Sequence, residues 1–185
     1  MNLAWLSTMA ERVYGVDYHL DRLHRAITRA DGVDVVLGAL DDLPITDRSI
    51  DLVFCNHVVE HIPDDVGALV ELARVLAPGG TLVLGVPNEG AAAWRFAYRL
   101  EPRYRKQTDH VHFYTAESIA NRCADAGLTV THVEHIGWGV PSWTLDAVVR
   151  RFRWMDDVLE QIGRQVAPRQ ATSLYVIARR AEDGD

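Results

Sequence analysis

The stretch DRSIDLVFCNHVVEHI (residues 47–62) contains an almost unbroken apolar run, residues 50–55, followed at once by the polar pair Asn56 and His57. A short run of this kind is typical of a strand buried on both faces of a parallel sheet. The next stretch, ELARVLAPGGTLVLGVPN (residues 71–88), predicts the end of a helix, a turn at residues 78–80 and a second apolar strand. This order predicts a parallel βαβ unit in the middle of the chain.

The same alternation extends to both ends of the chain. Further strands are predicted at residues 12–17, 33–37, 128–136 and 173–178. Helix-like stretches separate them at residues 20–30, 64–76, 89–100, 115–126 and 143–165, with Asp64 and Thr115 as N-terminal caps. The sequence therefore predicts an α/β fold with helices on the faces of a mainly parallel sheet.

The composition is that of one ordinary globular domain. Of the 185 residues, 48% are hydrophobic and 24% are charged, and the net charge of −7 makes nucleic acid an unexpected partner. Two cysteines cannot build a disulfide scaffold, which favours a cytoplasmic location. No apolar run approaches the ~18–20 residues that span a bilayer, so we expect no membrane partner. We expect one domain over residues 1–180 and a disordered acidic tail over residues 181–185.

Several segments, taken in order, resemble a single family. They are RVYGVD (residues 12–17), GALDDLP (38–44), the two stretches quoted above, DHVHFYTAESI (109–119) and AGL (126–128). In this order they resemble the class I S-adenosylmethionine-dependent methyltransferases of the type 11 group over nearly the whole chain. The resemblance implies a Rossmann-like methyltransferase sheet, mostly parallel with an antiparallel last strand. It also implies S-adenosylmethionine as the cofactor and methyl transfer to an O, N or C nucleophile of a small molecule.

The resemblance assigns six cofactor-binding residues: Asp17, Tyr18, Ala39, Leu40, Asn56 and His57. A carboxylate at the carboxyl end of a parallel strand can accept both ribose hydroxyls, although Asp17 can also be a plain surface carboxylate. Tyr18 would pack on the adenine or only against its neighbours. Asn56 and His57 leave the third strand beside the expected place of the methionine part of the cofactor.

Two features depart from the family pattern. Ala39 stands where the family usually has an acidic residue that holds the adenine amine. None of the 13 glycines forms a glycine-rich loop between a strand and a helix. The family's first strand, which lies between the strands ending at Asp17 and Cys55, has no counterpart. We therefore expect weak cofactor binding, and the alternative function is a non-catalytic methyltransferase remnant that acts as a binding or dimerisation module. An exposed sheet edge favours association, so a homodimer is an open alternative to a monomer.

Three histidines are candidate general bases: His57, His61 and His110. The first two follow the third strand and face the expected substrate mouth, and their structural alternative is to cap the helix or bond to backbone. His110 and His112 alternate along the chain, so one side chain of the pair faces the cleft and the other anchors the loop.

A zinc hydrolase is a third hypothesis. His57, Glu60 and His61 spell H-x-x-E-H, which matches the inverted zinc-peptidase motif. That chemistry needs both imidazoles on one continuous helix and a third ligand further along the chain. Because the motif follows a buried strand directly and runs into Pro63, we expect no metal.

Two further groups are candidates for contact with the methyl acceptor. One group is basic and consists of Arg95, Arg99, Arg103, Arg105 and Lys106. These residues either attract an anionic substrate or form a solvated helix face. The other group is aromatic and consists of Trp138, Trp143, Phe152 and Trp154. These residues either line an apolar pocket or pack a lid helix onto the sheet.

Overall fold

A computed structural model describes residues 5–30, 32–100, 108–139 and 151–181. The first described unit consists of strand β1 (Val13–Asp17), helix α1 (Leu20–Ile27) and strand β2 (Val33–Leu37). The two strands are parallel, with Val13 opposite Val33 and Asp17 opposite Leu37. Both strands therefore end at the same edge, where Asp17 and the start of the loop after β2 lie side by side.

The second sheet has four strands in the order β3-β4-β6-β5. They are β3 (Ile50–Asn56), β4 (Leu76–Pro87), β5 (Leu128–Ile136) and β6 (Ser173–Arg180). Strands β3 and β4 are parallel, whereas β6 lies antiparallel to both of its neighbours. The α/β class and the antiparallel last strand are thereby confirmed.

Four helices accompany this second sheet: α2 (Asp65–Val75), α3 (Ala92–Leu100), α4 (Ala116–Asp125) and α5 (Arg153–Val166). The backbone N–H of Gly67 donates to Oδ1 of Asp64 over 2.9 Å, which confirms the predicted cap of α2. Thr115 and Ser118 form a reciprocal capping box at the start of α4, as the sequence indicates. Capping fixes where each helix begins and therefore how the preceding loop approaches the sheet edge.

The two sheets are not joined by a strand. Within the described residues, β1 pairs with β2 alone and β3 pairs with β4 alone, so one edge of β1 and one edge of β3 are unpaired. The division falls at the place where the sequence analysis finds no counterpart for a middle strand. Val16 and Leu40 pack against the main core, where Leu43 from the loop after β2 is buried, and these contacts attach the small sheet to the large one.

The main core lies between the four-stranded sheet and helices α2 and α4. Its largest fully buried aliphatic side chains are Leu69, Leu76, Leu82, Leu84, Ile119 and Leu174. The sharp reversal that the sequence predicts at residues 78–80 lies between the pairs Ile50–Leu76 and Leu52–Thr81, where the register of β4 shifts. Gly79 adopts a φ of 79° there, a conformation that favours glycine.

None of the described helices is both long enough and apolar enough to cross a bilayer. Several residues singled out by the sequence lie outside the described ranges: Arg103, Arg105, Lys106, Trp143 and residues 182–185 of the expected tail.

Candidate active site at the carboxyl edge of the strands

Asp17 ends β1 and keeps part of its carboxylate available. Its Oδ1 accepts a hydrogen bond from the backbone N–H of His19 over 2.8 Å, and its Oδ2 lies 3.7 Å from Nη1 of Arg22. The backbone N–H of Gly38 donates to the Asp17 carbonyl over 3.2 Å and holds the two strand ends together. A carboxylate has about four lone-pair sites, so Asp17 can accept further donors from a ligand.

The other residues expected near the adenine lie beside Asp17 on the small sheet. Tyr18 is 63% exposed, and its ring contacts the His19 ring and the Arg22 guanidinium. Ala39 is exposed in a tight turn closed by a bridge to Asp42, whereas Leu40 packs against the main core. Tyr18 and Ala39 are thus open to a ligand, and Leu40 fixes the position of the loop.

Asn56 ends β3 with a buried acceptor. Its Oδ1 has no hydrogen-bond partner within the described part of the chain. The side chain lies over Gly85 of β4 so closely that a Cβ at that position would come within 2.1 Å of Oδ1. Glycine is therefore needed at residue 85 for Asn56 to take this position.

His57 turns the chain away from β3. Its φ of 53° lies in the left-handed region, and its backbone N–H still donates to the Gly85 carbonyl over 2.9 Å. Nδ1 of His57 donates to Oε1 of Glu60 over 3.1 Å, and the Glu60 side chain is completely buried while that of His57 is 40% exposed. A buried carboxylate therefore orients an accessible imidazole.

His61 and His110 meet next to Glu60. Their ring centroids are 4.9 Å apart and the rings lie edge to face. Nδ1 of His61 donates to the Asp109 carbonyl over 3.2 Å. Burial lowers the pKa of His110 below its usual value, with a smaller opposing contribution from Glu60. The three histidines proposed as candidate bases thus surround one buried carboxylate.

His110 reaches this place because its segment docks on the turn after β3. The backbone N–H groups of Val111 and His112 both donate to the Glu60 carbonyl, over 2.9 and 3.2 Å. His112 then points elsewhere: its Nε2 donates to the Pro63 carbonyl over 3.1 Å and its ring stacks on Tyr114. Of the pair His110 and His112, the first joins the histidine group and the second anchors the loop.

A buried polar network next to this group was missed by the sequence analysis. The Tyr114 hydroxyl donates to Oδ2 of Asp65 over 2.9 Å, and Nε of Arg122 lies 3.3 Å from the same oxygen. Burial and the Asp65 carboxylate together raise the pKa of Tyr114 well above its usual value. The only sequence signal was an acidic residue at the start of a helix, which ordinarily indicates a dipole interaction on the surface.

The zinc-peptidase hypothesis is wrong in its structural requirement. Residues 57–61 do not form one continuous helix, because His57 is left-handed and a short 3-10 turn, Val59–His61, follows it. The imidazoles of His57 and His61 are therefore not presented one turn apart on an α-helix, and His57 bonds to Glu60 instead.

Some of the residues expected to contact the methyl acceptor lie on the surface, and one is buried. Arg95 and Arg99 are exposed on α3. Trp138 is buried, and its indole N–H donates to the Ala167 carbonyl over 2.9 Å. Phe152 and Trp154 are exposed, so among the described members of this group only Trp138 packs helix α5 onto the sheet. An open groove of about 370 Å³ lies there, lined by Val133, Glu134, His135, Trp138, Arg164, Pro168 and Arg169.

Cys55 is a buried free cysteine next to this group. Its thiol is buried at the end of β3, and burial together with the Glu60 charge raises its pKa to about 12. The thiolate, which is the nucleophilic form, is therefore scarce at neutral pH. This environment is that of a cysteine that serves as apolar packing.

Part of the chain is similar in sequence to known methyltransferases. Residues 1–84 match a family model described as a methyltransferase domain. The chain is 36% identical over 83 residues to a probable S-adenosylmethionine-dependent methyltransferase of Mycolicibacterium smegmatis, covering 45% of this chain and 32% of that protein. It is 34% identical over 102 residues to the malonyl-(acyl-carrier protein) O-methyltransferase of Methylococcus capsulatus, covering 54% of this chain and 36% of that protein. The matched part spans about a third of the length of these two relatives.

The fold comparison reaches almost the whole chain. An S-adenosylmethionine-dependent methyltransferase of Mesorhizobium loti, known from its crystal structure, has a TM-score of 0.65 and 19% identity, covering 95% of this chain and 84% of that one. This likeness concerns the fold, and because it covers both sheets it confirms the expected Rossmann-like methyltransferase architecture.

Proposed function

We propose that this chain is a class I S-adenosylmethionine-dependent methyltransferase, which binds S-adenosylmethionine between Asp17 and Asn56 and transfers a methyl group to a small molecule. The acceptor atom is an O, N or C nucleophile. The name of the Methylococcus capsulatus relative, an O-methyltransferase, favours an oxygen acceptor.

The observation that carries the proposal is the unpaired acceptor of Asn56. Within the described residues, its buried Oδ1 receives no hydrogen bond. Leaving such a group unsatisfied costs about 1–3 kcal/mol, so a ligand donor at this place is favoured. The ammonium group of the methionine part of the cofactor is a donor of the right kind, and charged donors form the stronger bonds.

Asp17 supplies the complementary contact for the nucleoside part. Among the residues that the structure describes, only one of its oxygens accepts a close hydrogen bond, the 2.8 Å bond from His19. The Arg22 guanidinium, 3.7 Å away, adds a long ion pair to the other oxygen. The carboxylate therefore has room to accept both ribose hydroxyls, and exposed Tyr18 offers a ring face next to it.

His57 is the residue best placed to act as general base. Its Nδ1 donates to Glu60, which leaves Nε2 as the nitrogen that can accept a proton from an acceptor hydroxyl. A base held by a buried carboxylate is oriented before the substrate arrives, which is the general arrangement of an activated base. When bound, the cofactor supplies an electrophilic methyl group on its sulfonium; the chain binds and orients both reactants.

Amide NMR of the isotope-labelled full chain, titrated with S-adenosylmethionine, tests this proposal even if binding is weak. We expect shift changes concentrated at residues 17–18, 38–40 and 56–57. Asp17→Asn should weaken binding about tenfold or more, because hydrogen bonds to charged groups contribute about 1.5–3 kcal/mol. Asp34→Asn is the matched control, since Asp34 lies in the middle of β2 and pairs with Arg12 on the surface.

Two results would contradict the cofactor site. One is an absence of localised shift changes at millimolar cofactor, which would favour the non-catalytic binding module instead. The other is equal weakening by Asp17→Asn and by the control Asp34→Asn, which would show that surface charge alone governs the interaction.

A further inference from the structure

Glu60, His61 and His110 form a compact group, and only Glu60 of the three has a part in the proposed methyl transfer, through its bond to His57. One ligand atom from each of the three side chains lies within 4.8 Å of the other two. Glu60 and His61 come from the 3-10 turn after β3, and His110 arrives from the segment whose backbone N–H groups bind the Glu60 carbonyl. The group therefore combines one carboxylate and two imidazoles from two distant parts of the chain.

Two atoms of this group are buried and lack partners. Glu60 has no exposed surface, and within the described residues its Oε2 and Nδ1 of His110 take part in no hydrogen bond. Burying an unpaired carboxylate oxygen is costly unless a cation or a donor compensates it. The two orphan atoms therefore indicate that something positively charged belongs between them.

Two further polar atoms of the group are held by other residues. Oε1 of Glu60 accepts from Nδ1 of His57 over 3.1 Å. Nδ1 of His61 donates to the Asp109 carbonyl over 3.2 Å, which leaves Nε2 as the ring nitrogen with a lone pair. Metal-binding histidines usually donate their other ring N–H to a carbonyl or carboxylate in this way, and metal-binding carboxylates are hydrogen-bonded likewise.

We propose that Glu60, His61 and His110 bind one divalent transition-metal ion of the zinc type. Two nitrogen ligands and one oxygen ligand suit zinc, whereas magnesium and calcium prefer oxygen ligands only. Zn–N and Zn–O bonds of about 2.0–2.2 Å place tetrahedral ligand atoms about 3.4 Å apart, so ligand atoms now within 4.8 Å of one another approach by at most about 1.4 Å on binding. A fourth position stays open to water or another ligand. His57 is a hydrogen-bond partner of Glu60 rather than a ligand, which separates this site from the H-x-x-E-H motif.

Zinc titration of the full chain, after removal of metal by a chelator, tests the site directly. We expect one equivalent of zinc to bind, measured by calorimetry and by metal analysis after gel filtration, and zinc to raise the melting temperature. Glu60→Gln, His61→Ala and His110→Ala should each weaken binding by more than about 100-fold, beyond the 10–100-fold that loss of an outer partner costs. His132→Ala is the matched control, because His132 forms an exposed pair with Glu134 over 3.0 Å and should leave binding unchanged.

Cobalt provides a second measurement. Cobalt bound to the group should give the absorption bands of a coordinated ion in the wild-type chain and in His132→Ala, but not in Glu60→Gln, a variant that keeps the volume of the buried side chain. If an alanine variant fails to fold, Glu60→Gln and wild type are compared instead. Zinc should raise the melting temperature of wild type and should raise that of Glu60→Gln much less.

The proposal is overturned if the metal-free chain binds less than one equivalent of zinc at micromolar concentration. It is equally overturned if folded Glu60→Gln and His110→Ala bind zinc as tightly as wild type, which would place the ion on other histidines. Because none of these measurements includes S-adenosylmethionine, their failure leaves the proposed methyl transfer to its own test.

Discussion

Trp138 approaches helix α5 at the one position where that helix has no side chain. A Cβ added to Gly163 would lie 2.1 Å from the indole ring. The ring is 8% exposed, its N–H binds the Ala167 carbonyl, and the Arg164 guanidinium lies 5.8 Å from its centroid. Trp138, which follows β5, therefore packs directly on α5, beside the long ion pair of Arg164 with Glu134 over 3.9 Å.

We expect Gly163→Ala to destabilise the protein, although alanine in place of glycine usually stabilises a helix. Alanine in a helix is favoured over glycine by about 1 kcal/mol, but overpacking a filled site costs about 1–3 kcal/mol. Thermal unfolding of the variant should therefore occur at a lower temperature than that of wild type. Gln161→Ala, an exposed change two residues away on the same helix, is the control and should leave the melting temperature nearly unchanged. A rise on Gly163→Ala would mean that the indole moves aside freely.

Single residues also mark where sequence reasoning succeeds. Asp17 and Asn56 end β1 and β3, and His57 follows β3, as the apolar runs in the sequence indicate, while their roles in cofactor binding stay predictions. The partnership of Glu60 with His110 was not predictable, since it depends on two backbone hydrogen bonds to the Glu60 carbonyl from a segment about 50 residues later. Such bonds carry no side-chain signature in the sequence.

At the scale of elements, α2 holds the loop between β2 and β3 through Arg74. Its guanidinium donates to the carbonyls of Leu43 and Ile45, over 2.8 and 2.9 Å, and to Glu71 on the preceding turn of the helix. Oε2 of Glu71 in turn accepts from the Leu43 backbone N–H over 3.0 Å. This loop connects the two sheets, so its attachment to α2 helps to fix their relative position.

This attachment predicts an acid-sensitive stability. The Arg74 side chain holds the pKa of Glu71 below its usual value. The unfolded state therefore binds the proton more tightly, and the stabilisation is complete above the ordinary pKa of about 4.3 and is lost as the pH falls through the lowered value. Glu71→Gln should be less stable than wild type near neutral pH and should lose less stability on acidification, measured by denaturant unfolding at about pH 7 and about pH 3.

Ser49→Ala is the control for that experiment. Ser49 lies in the same loop and its hydroxyl donates to the Thr46 carbonyl over 2.6 Å, without a titratable group. Its loss should lower stability by a similar amount at both pH values. If Glu71→Gln and Ser49→Ala give parallel pH profiles, the Glu71 carboxylate does not contribute to the acid sensitivity.

For the whole molecule, the alternation of apolar runs and helices was enough to predict the α/β class and the order of the strands along the chain, whereas the antiparallel last strand was implied by the family resemblance. Local patterns identify a strand but not its neighbours, so the division into two sheets depends on pairings that no single segment specifies. Helix packing was likewise only partly predictable, because Phe152 and Trp154 have the apolar character of core residues and yet are exposed. Self-association through the open strand edges stays a prediction.

The separation of the small sheet from the large one has a consequence for local opening. A two-stranded sheet is marginally stable by itself, and Val13 and Leu23, although buried, lie outside the main core cluster. In deuterium exchange, we expect the amides of β1 and β2 to exchange faster, through local opening. The amides of β4 and β6 should exchange only when the whole protein unfolds. Mass spectrometry of peptic fragments measures both groups, and equal protection would show that the sheets open together. If the small sheet opens separately, mild warming would open the part of the proposed cofactor site around Asp17 while the four-stranded sheet stays folded.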